Sequence, residues 1–335
     1  MHIIYTSQII HGQEAVWELP RGRKPTGVVL FGHGCYHSGG DLWPPQPACP
    51  RCLGLPEEIR WRRAALDRGL AVVGISSQDR VGRGCWFEVK KDKGASAAKV
   101  ARTVIKKAGL SDLPVYVMGV SGGAYMSMTL PQTMPELKGV YAQVRALPVE
   151  AFKLPGNRKY PPIAFVHMAT RDPENAIEVE KDMEVLKAAG TPVAQVLIEP
   201  QPLTIEFLTS RSEGAIDVPM AKNIIASLKE HGYIDEENNV KYNMRAVTNR
   251  WAPIIQPLVG NLSLQLDKSN LGELFNVAWA RHEFVHDHVD AVLEWLQNGG
   301  KGGQAQMDKL LEADRQKDAA AAAAWAKALR DGGWL

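Results

Sequence analysis

Gly119-Val120-Ser121-Gly122-Gly123 is the segment that most narrows what this chain can fold into. It fits the pattern G-x-S-x-G, and its surroundings matter more than its letters. Pro114 is followed by an apolar, β-branched run to Gly119, and a helix-compatible segment comes after. A strand that bends sharply into a helix presents the serine at the bend. Such a backbone is strained, and flanking glycines let neighbouring segments pass without Cβ clashes. The helix N-terminus adds positive potential and a free N–H beside the hydroxyl. An inert serine in a glycine-rich turn would show the same letters, but the strand–turn–helix context favours Ser121 as a nucleophile.

The rest of the chain is consistent with that bend. Short β-branched runs bounded by Gly and Pro recur at 3–6, 15–19, 27–31, 70–75, 115–119, 139–144, 163–168 and 193–198. Helix-like segments lie between the later ones, at 56–68, 95–107, 122–134 and 173–189. Alternation of this kind requires crossover connections and a mainly parallel, twisted sheet with helices on both faces. The early strands, without helices between them, predict an antiparallel edge. This order suits the α/β-hydrolase fold, although periodicity alone also allows a flavodoxin-like or Rossmann sheet. From about 200 to 270 the pattern breaks into short helical pieces, such as 219–230, with a helix end at Lys229–Tyr233 capped by Gly232. The expected organisation is therefore a core over 1–199, a lid-like insertion over 200–270, and a return to the core over 271–298, with helices at 271–284 and 287–297. Residues 299–335 form a flexible glycine linker and an alanine-rich helix, a possible surface for a protein partner.

Composition excludes several partners. The 335 residues carry a formal net charge of +2, 45% apolar residues and no dense Lys/Arg run. Arg60-Trp61-Arg62-Arg63 reads as the polar face of a helix, so nucleic acid has little support. No apolar stretch reaches the roughly 18–20 residues of a membrane span. Residues 1–20 lack the charged and apolar regions of a signal peptide, so the chain as given reads as soluble. Cys49-Pro-Arg-Cys52 has redox or zinc spacing, but no second pair completes a four-ligand site, even with His33 or His37 added on paper. No metal or cofactor is expected. The four cysteines, Cys35, Cys49, Cys52 and Cys85, could be reduced or form two disulfides, which would leave a secretory origin open. The single sequon Asn261-Leu262-Ser263 does not decide this.

Phe31-Gly32-His33-Gly34-Cys35 follows the third strand, where this fold places its second oxyanion amide. The Cys35 or Tyr36 N–H is expected to act with that of Gly122, while the His33 imidazole braces the loop. Triad order then runs serine, acid, histidine. Asp172 follows the strand at 163–168 and is the candidate acid, although Pro173 and Glu174 after it also suit a helix N-cap. His282, His286 and His288 are the candidate bases. His282 or His286 fits a loop before the last helix, and His288 begins that helix. The i, i+4 spacing of His282 and His286 also suits zinc ligands, but no carboxylate signature completes a site. Phe207, Tyr233, Tyr242 and Trp251 could shape an apolar acyl or aryl pocket, though most are expected in the core.

Two resemblances extend this. His33-Gly34-Cys35 with Gly84-Cys85-Trp86 resembles elements of polyhydroxybutyrate depolymerases and feruloyl esterases, and implies a Cys35–Cys85 disulfide. The chain to about residue 298 is similar to a largely uncharacterised plant and algal family of α/β-hydrolases. That likeness is carried by Cys49–Glu57, Gly119–Gly123, Pro202-Leu203-Thr204, Gly232–Asp235 and Leu274–Glu283. It implies His282 as the base and Cys49–Cys52 as a local disulfide or a redox pair. Together these observations predict a serine hydrolase acting on a small-molecule ester, with Ser121, His282 and Asp172 as its triad. The rival expectation is a degenerate hydrolase that serves as a scaffold.

Overall fold

A computed structural model describes residues 5–331 of the chain. The expected first strand at 3–6 falls partly outside these residues. Within them the chain opens with an antiparallel pair, β1 (Thr6–Ile10) and β2 (Gln13–Glu18). There follow β3 (Gly27–Gly32), α1 (Pro56–Asp67), β4 (Leu70–Ile75), the short turn α2 (Val89–Asp92), α3 (Ala95–Lys107) and β5 (Val115–Val120). After these come α4 (Gly122–Thr129), β6 (Leu137–Gln143), β7 (Ile163–His167), α5 (Pro173–Ala188) and β8 (Val193–Leu197). The eight strands form one sheet in the order β1-β2-β4-β3-β5-β6-β7-β8, antiparallel through β2/β4 and parallel thereafter. This is the α/β-hydrolase fold.

The central strands β3, β4 and β5 are buried at every position, as expected of a parallel sheet covered on both faces. The two-residue period divides them. Val29 and Phe31 face one core with α1, while Val28 and Leu30 face the other with α3, α4 and α5. Pro131 prevents α4 from running to 134, and the chain finishes in a short 3-10 turn, Leu130–Gln132.

Beyond β8 lie α6 (Ile205–Arg211), α7 (Val218–Glu230), α8 (Thr248–Val259), α9 (Asn270–Trp279), α10 (Val289–Gln297) and α11 (Gly303–Asp331). Three expectations need correction. The helix predicted over 271–284 stops at Trp279, because Ala280 turns to a left-handed φ of 53° and its N–H closes onto Asn276 and Val277. Secondly, the arginines of α1 are not a uniform polar face. Arg62 is buried beside Trp43 and pairs with Glu18 at 3.5 Å, and Trp61 is wholly inaccessible. The glycines expected to form a flexible linker instead fold into a turn that caps α10, with the Gly299 and Gly300 N–H groups bonded to Leu296 and Trp295. α11 then lays Met307 and Leu311 on the core, while its alanine-rich part is largely exposed. No helix among the described residues is long and apolar enough to cross a membrane.

Candidate active site

Ser121 lies between β5 and α4 with φ 52° and ψ −111°. A positive φ in a non-glycine residue costs of order 1–3 kcal/mol, so the surroundings must hold it. They do so by close packing. A Cβ on Gly119 would stand 2.0 Å from the Gly123 carbonyl oxygen, and one on Gly123 would stand 1.9 Å from that of Gly32. Only glycine at these two positions lets α4 descend onto β3 and β5. The Ser121 N–H is donated to the Gln143 carbonyl at 3.0 Å, which ties the bend to the end of β6.

The Ser121 hydroxyl meets His282 Nε2 at 2.9 Å, and His282 Nδ1 meets Asp172 Oδ2 at 3.2 Å. The hydrogen bond to His282 holds the Asp172 carboxyl below its ordinary value, against the opposite pull of burial. An ionised carboxylate only accepts, so Nδ1 carries the proton and Nε2 is free to accept from the serine. Asp172 occupies the N-cap position of α5, but its side chain makes no capping bond.

The other histidines go elsewhere. His286 donates from Nδ1 to Glu57 at 2.7 Å and accepts from Arg60 Nε at 2.9 Å, so it does not reach Ser121. His282 and His286 share no ligand position despite their spacing. Glu57, His286 and Asp287 could gather round a metal ion, but the Arg211 guanidinium bonds both carboxylates and supplies the positive charge itself. His288 caps α10. His33 is buried, donating from Nδ1 to the Gly34 carbonyl at 2.6 Å and accepting from the Ser77 N–H at 3.0 Å. Burial holds this imidazole neutral, down to about 3, as suits a brace for the loop.

Of the two amides expected beside Gly122, Tyr36 is already engaged, since its N–H is donated to the Arg83 carbonyl at 2.5 Å. Cys35 remains. A Cβ on Gly122 would stand 3.7 Å from the Cys35 nitrogen, so the two residues are neighbours, and neither N–H is donated to another described residue. The loop is fastened by the Cys35–Cys85 disulfide and by Trp86 Nε1, which donates to the His33 carbonyl at 2.9 Å. Cys49 and Cys52 form the second disulfide, with their sulfurs buried against Gly40.

A cavity of about 250 Å³ opens over Ser121. Its walls include His37, Glu58, Asn243, Arg245, Arg281 and Glu283. None of the four aromatics of the 200–270 segment lines it. Phe207 and Trp251 are core residues, and Tyr242 is exposed and stands edge-on to Tyr233. Arg245 pairs with Asp267 and Glu283, and Glu283 also accepts from Asn276 Nδ2 at 2.9 Å. His37 is raised to about 9: burial pulls it down, but the hydrogen bond and charge of Asp41 at 3.1 Å outweigh that. Burial pushes Glu58 up to about 7. Burial and the adjoining Glu58 push Glu273 well above the ordinary range, so Glu273 holds the proton between them. Sequence patterns give no reason to group these residues, because each is a single polar position whose neighbours come from distant segments.

The sequence matches no family model, and no curated protein matches it. Solved structures resemble it in part. A carboxylesterase from Mesorhizobium loti is 16% identical over 58% of this chain and 90% of its own, with a TM-score of 0.44. An esterase from Pyrococcus furiosus is 14% identical over 58% of this chain and 82% of its own, also at 0.44. A thermostable esterase is 15% identical over 58% of this chain and 54% of its own, at 0.39. Likenesses this distant carry no assignment of activity. The strand order and the elbow carry the fold.

Proposed function

We propose that this protein is a serine hydrolase of carboxylic esters. Ser121 Oγ attacks the ester carbonyl while His282 Nε2 takes its proton. Asp172 holds the imidazole in the required tautomer and stabilises its charged form. The Cys35 and Gly122 amides receive the oxyanion of the tetrahedral intermediate. His282 then returns the proton to the leaving alkoxide, which departs as the alcohol. Water, activated by the same imidazole, releases the acid from Ser121. The observation that carries this is the unbroken contact of a strained serine, an imidazole and a carboxylate drawn from three separate loops. Two amides without other acceptors beside that serine support an active site over a degenerate scaffold.

The test is hydrolysis of p-nitrophenyl acetate by the oxidised full-length protein and by Ser121→Ala. Turnover by the wild type that falls to the uncatalysed rate in the variant is expected. Equal turnover by both, or none from folded wild type, would overturn the proposal.

A further inference from the structure

The cavity over Ser121 does not end at the serine. An open groove of about 610 Å³ adjoins it, and Tyr36 and His37 line both. The groove runs between the loops that carry the two disulfides and the segment before α9. Its charge is uneven. Arg51, Arg80, Arg83 and Lys268 line it and are all exposed. Three carboxylates also line it, but two are committed: Asp41 to His37 and Asp267 to Arg245. Asp79 remains, and it accepts the Gly82 N–H at 2.7 Å. Arg51 and Lys268 have no acidic partner among the described residues. On a chain of net charge +2 this is a concentrated surplus of positive charge, next to the cavity that holds the candidate nucleophile.

Tyr36 adds a second recognition element. It is 54% exposed, at the junction of cavity and groove, and its ring is backed by the Arg83 guanidinium 5.4 Å from its centroid. The disulfide at Cys35 and the N–H donated to Arg83 fix its position. An exposed, rigid aromatic face next to cations suits a ring that is flat on one side and hydrogen-bonding at its rim. The inner cavity, lined by Asn243, Arg245, Glu58 and His37, offers donors and acceptors instead of an apolar acyl slot.

We infer that the ester is borne on an acidic saccharide chain, with its carboxylates along the Arg51–Lys268 groove and a sugar ring against Tyr36. This rests on the proposed ester hydrolysis at Ser121. It names the class of substrate for that same site.

The closing experiment has two arms on the oxidised full-length protein. In the first, acetate release is compared between an O-acetylated oligogalacturonide and an O-acetylated cello-oligosaccharide of equal length and acetyl content. At low ionic strength the acidic substrate is expected to show a kcat/KM about tenfold higher or more, with the ratio shrinking towards one at about 0.5 M salt. In the double variant Arg83→Gln/Lys268→Gln the ratio is also expected to collapse. A ratio near one in the wild type, or a ratio untouched by both salt and the variant, overturns the inference. The second arm does not need turnover. Calorimetric titration of Ser121→Ala with unesterified oligogalacturonide should give salt-sensitive binding that weakens about tenfold or more when Arg83→Gln/Lys268→Gln is added. Absence of binding overturns the groove assignment even if small esters are hydrolysed. Binding without hydrolysis of any ester keeps the groove and removes the catalytic proposal instead.

Discussion

At the scale of single residues, the account depends on one hydroxyl held in an unfavourable backbone conformation. In the proposed mechanism Ser121, His282 and Asp172 act as a unit, so their removal should be strongly non-additive. Asp172→Asn is expected to lower kcat by about 10³–10⁴-fold with KM little changed, because an amide at that point permits the wrong imidazole tautomer. Steady-state kinetics on the single and double variants with His282→Ala measure this. A drop in the double variant that multiplies the two single effects would contradict a shared role. His37 gives a residue-scale prediction for stability. Its folded-state value lies near 9, above the ordinary 6.5. The His37–Asp41 pair therefore contributes fully below about pH 6.5 and loses its contribution as pH rises through about 9. Urea titrations at these pH values should show that loss, and His37→Gln should remove it.

At the scale of elements, the N-terminus of α1 and the loop before α10 are joined by buried charge. Glu57 accepts from the His286 N–H at 2.9 Å and from Arg211 Nη1 at 2.9 Å, and its carboxyl is held far below the ordinary range by His286 and Arg211, against the pull of burial. Glu57→Gln leaves Arg211 under-compensated and should cost about 3 kcal/mol, read from the urea midpoint. The neighbouring carboxyls titrate in the opposite sense. Glu58 and Glu273 bind their proton more tightly when folded, so their contribution falls as pH rises above about 4.5 and through about 7. Glu273→Gln keeps a donor to Glu58 and needs no shared proton. It should flatten the decline in stability between pH 5 and 8, and a profile identical to wild type would argue against the shared proton. The Cys35–Cys85 disulfide closes a loop of 50 residues, and its loss in Cys35→Ser/Cys85→Ser should cost about 4 kcal/mol by chain entropy. Activity should fall further than stability, because the loop also carries the Cys35 amide.

At the scale of the whole molecule, what was legible in the sequence follows from range. The parallel strands were visible because burial on both faces leaves continuous apolar runs, as at Leu70–Ile75. Ser121 was visible because its bend needs glycines at fixed offsets. Asp172 and His282 required chain order and a family resemblance, since nothing local separates His282 from His286. The end of α9 was misjudged because Ala280, a strong helix former, takes a left-handed conformation that only the tertiary setting imposes. Helix α8 gave little signal because Pro253 and Pro257 lie inside it. The linker was misjudged because glycines that permit freedom also permit a tight turn, and Gly300 packs where a Cβ would stand 2.6 Å from Pro192. The polar cavity wall could not be read at all, since His37, Glu58 and Arg245 meet only in the folded chain.

The most direct test of the central claim is mass spectrometric mapping of a fluorophosphonate adduct on the oxidised protein. One adduct per chain is expected, on Ser121, with labelling that slows sharply in His282→Ala. Folded, oxidised protein that gains no adduct, or gains it on another residue, would contradict it.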